Sequence, residues 1–243
     1  MKIRKNKIIV SAITLGLLTS ITPTGAFAET NDSVISASSS KNIQQVEQPI
    51  IKILKEDANE KIVESKDSNI VVTSTYDKKN KVLNIATKKI ADNSVTTETI
   101  NIPSANEFYA NTNKKANYAM EVLDRAVSLD GAFEYTYYKG NVWVIKIPSV
   151  DYAKNPLQTS ENKADLNGFR TAVNNLMTNE VSFLSKVGGE IGIACLTLLR
   201  TPNPWTVIAG AAGAIGLAAW AVPDLYKVFV EADNATYYFH QVN

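Results

Sequence analysis

Residues 206–222 read Thr-Val-Ile-Ala-Gly-Ala-Ala-Gly-Ala-Ile-Gly-Leu-Ala-Ala-Trp-Ala-Val, without a single charge. A helix of this length extends about 25 Å, slightly less than the roughly 30 Å hydrocarbon core of a bilayer. The stretch therefore belongs inside protein or inside lipid, and the rest of the chain must fold around one of those requirements. On a helical wheel, Val207, Ile208, Ile215 and Val222 share one side, while Ala209, Gly210, Ala212, Gly213 and Gly216 share the other, with Trp220 at its end. The pairs Ala209/Gly213, Gly210/Ala214 and Ala212/Gly216 are small-xxx-small steps that let a neighbouring helix come close.

A second apolar run, 187–199, precedes it and contains Gly188, Gly189, Glu190 and Gly192. Between the two lies Arg200-Thr201-Pro202-Asn203-Pro204, whose prolines stop the first helix and suit the start of the second. The pair reads as an apolar helical hairpin. Two destinations remain open for it: the core of a soluble domain, or a membrane-active element stored there. Glu190, set in an apolar helix, must find a partner, face water or take up a proton.

The N-terminus has the pattern of a secretory leader over 1–28. Lys2, Arg4, Lys5 and Lys7 form its basic start, 8–18 its apolar centre, and Ala26-Phe27-Ala28 a small-x-small cleavage site. Cleavage leaves 243 minus 28, or 215, residues. It also leaves 25 minus 4, or 21, basic residues against 24 acidic ones, a mature net charge near −3. Such a chain lacks the clustered basic charge that a polyanion requires, so nucleic acid is not an expected partner. Lipid affinity would have to come from apolar surface rather than charge. The single cysteine, Cys195, excludes an intramolecular disulfide, so the core alone must hold the fold.

Residues 29–48 read as a flexible polar arm or propeptide, 49–148 as an α+β part, 149–160 as a connector and domain boundary, and 161–243 as a helical part. An amphipathic helix is expected from Pro49 to about Ser65. Runs 70–76, 82–88 and 95–102 are rich in Val, Ile and Thr and separated by turn residues, which predicts a β-meander. Tyr118, Val122, Ala126 and Leu129 recur at helical spacing, predicting a helix that ends near Asp130-Gly131. Residues 132–138 and 142–147 flank Lys139-Gly140-Asn141 at hairpin spacing. Its aromatics Tyr135, Tyr137 and Trp143 read either as a stacking platform for a sugar or peptide or as cross-strand pairs.

Leu166, Phe169, Val173, Leu176, Leu184 and Val187 predict an amphipathic helix. Pro223 is expected to end the second hairpin helix, with a short helix over 225–232 and a strand or docking tail at Tyr237-Tyr238-Phe239. The overall fold class is α+β, with an N-terminal meander and hairpin and a C-terminal helical part enclosing the apolar hairpin.

Catalytic signals are sparse. His240 is the only histidine and stands near the C-terminus, so His-based triads and multi-ligand metal sites lack their residues, and no metal or other cofactor is expected. Asp124, Asp130, Glu134, Asp151 and Glu190 could serve as acid and base on a glycoside only if two of them met across a cleft. The reading is non-enzymatic.

The leader ending Ala26-Phe27-Ala28, the Gly188-Gly189-Glu190-Ile191-Gly192 segment, and Gly210, Gly213 and Gly216 before Trp220 together resemble the large secreted bacteriocins of the geobacillin type. The resemblance is one of layout. It implies a folded, heat-sensitive antibacterial protein released against related bacteria. The apolar hairpin adds the expected mechanism, storage in the fold and release at a target-cell membrane or envelope component, with self-association; its site residues would be Gly188, Gly189, Glu190, Gly192, Gly210, Gly213, Gly216 and Trp220. The competing expectation is an envelope-binding module using Tyr135, Tyr137 and Trp143. Edman sequencing or mass spectrometry of exported protein should start at Glu29; an intact Met1 would refute the leader assignment.

Overall fold

The computed structural model describes residues 47–110 and 120–242. The expected leader and nearly all of the expected polar arm therefore lie outside the described residues. Five strands form one antiparallel meander: β1 (Ile50–Glu56), β2 (Glu60–Lys66), β3 (Ile70–Asp77), β4 (Val82–Lys89) and β5 (Val95–Asn101), paired in chain order. The last three strands are the expected ones. β1 and β2 replace the amphipathic helix expected over 49–65. The reason is local: Asp57 Oδ1 accepts the amides of Asn59 and Glu60 at 2.8 and 2.9 Å, which reverses the chain in the middle of that segment. Asp67 does the same for Asn69 and Ile70, and Asp77 for Lys79 and Asn80. An aspartate accepting the amides two and three residues ahead gives the backbone a turn that competes with helix.

After β5, a capping box between Ser104 and Glu107 starts the short helix α1 (Ala105–Tyr109). A second antiparallel sheet follows, with β6 (Val122–Val127), β7 (Glu134–Tyr138) and β8 (Val142–Lys146) in order 6-7-8. The hairpin β7–β8 is as expected, but β6 occupies the place of the helix predicted up to Asp130-Gly131. Helical spacing there was outweighed by the free edge of β7, which pairs Ala126 with Tyr135 and Val127 with Glu134. Residues 149–160 do not separate two domains. They run beside β8, with isolated bridges Val142 to Leu157 and Ile145 to Lys154, and the described residues all belong to one compact unit.

The C-terminal helices are α2 (Lys163–Val187), α3 (Gly189–Thr197), α4 (Trp205–Ile215) and α5 (Val222–Gln241). α2 packs along α5 and also covers β6 and β7. Gly168 allows the two helices a close approach, since a Cβ there would lie 2.5 Å from the Tyr238 ring. α4 is shorter than the expected helix over 206–222. Gly216 adopts φ +114°, a conformation that L side chains resist, and closes the helix after 11 residues, about 16 Å. Pro223 lies in the first turn of α5 rather than ending the helix before it, and Tyr237, Tyr238 and Phe239 continue α5 instead of forming a strand.

α4 lies across one face of the five-stranded sheet. Val63, Ser65, Val72, Ser74, Leu83 and Ile85 alternate inward and are buried beneath it. The opposite face carries Thr73, Thr75, Asn84, Thr97 and Thr99 and is open to solvent, the usual division in an antiparallel sheet. A Cβ on Gly210 would stand 2.2 Å from Ser65 Oγ and 2.9 Å from Ser65 Cβ, whereas one on Gly213 would meet Val63 Cγ1 at 3.6 Å. Gly210→Ala should therefore destabilise the protein by about 1–3 kcal/mol through overpacking. Gly213→Ala should be neutral or stabilise by up to about 1 kcal/mol through its better helix propensity. Urea denaturation of both variants checks the contrast, and equal effects would refute this account of the helix–sheet contact.

Candidate functional site

The apolar hairpin is α3, the 3-10 turn Leu198–Arg200, the proline-bearing connection and α4. Ile193, Cys195, Leu196, Leu198, Trp205, Val207, Ile208 and Ala212 are all buried. Both faces of α4 are thus covered, the bulky one as well as the small one. Its small face meets strands rather than another helix, with Gly210 on Ser65 and Gly213 beside Val63 and Ile51. Gly192 packs against Leu184, and Trp220 stands 63% exposed beyond the end of α4. Among the described residues no helix is long and apolar enough to cross a membrane.

Few polar links hold the hairpin to its surroundings. Ser65 Oγ donates to Thr206 O at 2.8 Å, and Thr206 Oγ1 donates to Asp67 Oδ2. Burial by itself would raise the Asp67 pKa, but the bonds from Thr206, Asn69 and Ile70 prevail and hold it below the usual carboxylate value. Asn203 Nδ2 donates to Glu98 on β5 at 3.0 Å. Glu190, of the three fates open to it, faces water, with a side chain 89% exposed and Lys81 Nζ 3.2 Å away. Trp205 packs edge-on against Tyr226 and lies against Phe229, joining the start of α4 to α5. Burial drives the Cys195 thiol far above its ordinary pKa, so it is a packed side chain rather than a nucleophile.

Where the turn after β6 meets α2 and the hairpin, three ionisable side chains lie in sequence, Glu180 beside Asp130 and Asp130 on Arg200. Asp130, 5% exposed, accepts from Arg200 Nε at 2.9 Å and from Ser128 Oγ at 2.6 Å. The Arg200 guanidinium lies over the Phe108 ring, and its Nη2 is buried with no hydrogen-bond partner among the described residues. Glu180 of α2 is 3% exposed and accepts the Leu129 amide at 2.8 Å. Its burial, and secondarily the charge of Asp130, push its pKa up to about 8 against the lowering effect of the Leu129 bond. Glu180 was not among the expected site residues, although the sequence carried the signal: it follows Leu176 by four residues and precedes Phe183 by three, on the apolar stripe of α2.

The other carboxylates do not face each other as an acid–base pair. Asp124 pairs with Arg170 at 2.7 Å, Glu134 with Arg125 at 2.8 Å, and Asp130 with Arg200. Asp151 shares with Asp130 only the wall of a shallow hollow of about 300 Å³. The aromatic platform is also closed. Tyr135 and Trp143 are each 1% exposed, Tyr137 stacks on Trp143 with centroids 4.5 Å apart, and the Tyr135 hydroxyl sits between Asp124 and Asn174. They are cross-strand core pairs.

A larger cavity of about 400 Å³ opens between the β3–β4 turn, the segment entering α1, the start of α3 and the end of α4. Lys78, Lys81 and Tyr76 line one side of it, while Ile191, Ile193 and Ile215 of the hairpin line another. With this geometry in view, no family model, curated protein or solved structure matches the chain.

The raised pKa of Glu180 has a definite sign. Its stabilising contribution is complete below the unfolded value near 4.5 and disappears as pH rises through about 8. Wild-type protein should lose on the order of 3 kcal/mol between pH 5 and pH 8.5 from this group. Glu180→Gln, neutral throughout, should flatten that slope in urea denaturation; identical slopes for the two proteins would show that Glu180 is not protonated in the fold.

Proposed function

We propose that this is a secreted, non-enzymatic antibacterial protein that carries the α3–α4 hairpin in concealed form and delivers it to a target-cell membrane. The observation that carries the reading is the burial of a charge-free helix between a sheet and other helices, through a seam closed mainly by apolar contact. The leader over 1–28 and the layout shared with geobacillin-type bacteriocins support export and antibacterial action. α4 alone is too short to span, so the hairpin acts either as an interfacial wedge or after 206–222 straightens through Gly216 into one helix of about 25 Å. Self-association on the membrane would use the small residues that now meet the sheet. The aromatic alternative has no exposed platform to support it, since Tyr135 and Trp143 are buried.

A reversible lock tests the mechanism. A Cβ on Gly213 would stand 3.8 Å from Ile51 Cγ2, so cysteines at these two positions come within reach of each other. In a Cys195→Ala background, Ile51→Cys with Gly213→Cys should give an oxidised protein that is folded but unable to leak liposomes or kill bacteria. Reduction should restore both. Oxidised protein as active as the reduced form would refute release of the hairpin. Killing by wild type without membrane permeabilisation would refute membrane action.

A further inference from the structure

The cavity beside α3 has an uneven chemistry. Its deep wall is apolar and belongs to the hairpin, with Ile193 3% exposed and Ile191, at 37%, left partly uncovered at the opening. Its rim carries two ammonium groups from the end of the sheet. Lys78 Nζ donates to Asp57 O at 2.7 Å and lies 3.8 Å from Glu56 Oε1, and Lys81 Nζ pairs with Glu190 Oε1. The Lys81–Glu190 pair is exposed on both sides, and such pairs hold weakly. Among the described residues, Glu190 is the only acidic one lining the cavity. An entering phosphate would take the place of the Glu190 carboxylate on Lys81 at little cost, while offering Lys78 a closer charged acceptor than Glu56. The volume of about 400 Å³ lies within the range of small-molecule sites.

We infer that this cavity binds an anionic amphiphile, a phosphate head group on an acyl chain, with Lys81 and Lys78 holding the phosphate and Ile191, Ile193 and Ile215 receiving the chain. The inference rests on the membrane reading above and deepens it. An acidic lipid seated here draws Lys81 away from Glu190 and places hydrocarbon against the hairpin's own side chains, at the seam where α3 and α4 leave the sheet. Acidic lipid would then be the group that starts hairpin release, while Glu190 guards the site in its absence.

Full-length mature protein titrated with dihexanoyl phosphatidylglycerol below its micelle concentration, followed by calorimetry, tests the site directly. Dihexanoyl phosphatidylcholine and inorganic phosphate serve as the neutral-head and chain-free arms. The acidic lipid should bind about tenfold more tightly than either. Lys81→Gln should weaken that binding about tenfold, the usual effect of losing one charge-assisted hydrogen bond. Glu190→Gln, which frees Lys81, should tighten it, an outcome that a merely structural Lys81–Glu190 bridge does not produce. Unchanged binding in Lys81→Gln, weaker binding in Glu190→Gln, or equal binding of inorganic phosphate would overturn the inference. The two readings fail separately. Short-lipid binding without vesicle leakage refutes the membrane mechanism and leaves the site, whereas leakage by wild type without short-lipid binding refutes the site alone.

Discussion

The contact of α4 with the five-stranded sheet is the interaction on which the rest of the fold depends. Nine of the 11 residues of α4 are buried, and the largest of them, Trp205, Val207 and Ile208, are each worth about 1.5–3 kcal/mol when removed from water. The summed effect is on the order of 10 kcal/mol, the size of a whole domain's net stability. α4 therefore does not detach as an isolated fluctuation. The exit we propose would have to be coupled to loss of the surrounding fold or to a new apolar environment that replaces the sheet, the role proposed for a membrane.

The polar groups around this contact are few, and each occupies a place where the apolar contact ends. Thr206 with Asp67 and Ser65 fixes the first turn of α4 over β2 and β3, Asn203 ties the proline connection to β5, and Arg200 with Asp130 ties the hairpin to the turn after β6. Glu180 stands at this last junction with its pKa raised by burial first and by the charge of Asp130 second, so its neutral form is the one the fold accommodates. The arrangement makes the junction sensitive to alkaline rather than acidic conditions. The opposite dependence holds at the exposed turn carboxylates such as Asp57, whose pKa is lowered to about 2 by the amides of Glu60 and Asn59 and whose contribution is lost only on strong acidification.

Much of the fold was legible locally. The β-meander, the β7–β8 hairpin, α2 and the apolar hairpin all follow from periodicity and turn chemistry. The missed strands β1 and β2 had a readable signature as well: Asp57-Ala58-Asn59 and Asp67-Ser68-Asn69 are the same aspartate turn, ten residues apart, as Asp77-Lys78-Lys79-Asn80. Ile50, Ile51 and Ile53 suit a helix stripe and a strand equally, so only the turn residues separated the two. β6 had no such local marker. Its strand state comes from pairing with β7, a partner that lies across the turn Ser128 to Phe133 and is invisible to a helical wheel.

The sequence by itself determined that the charge-free stretch from Thr206 would leave water over most of its length, that Cys195 has no disulfide partner, and that an α+β chain would have to enclose an apolar hairpin, because these depend only on composition and spacing. Tertiary structure decided what that hairpin touches. Whether glycines at 210 and 213 face a helix, a lipid or a strand depends on which surface offers a matching shape. Here Ser65 offers a hydroxymethyl small enough for Gly210, 145 positions away in the chain. The meeting of Asp130 with Arg200, and of Lys81 with Glu190, was likewise decided in three dimensions, because charge pairing acts through a few ångströms of space whatever the distance along the chain.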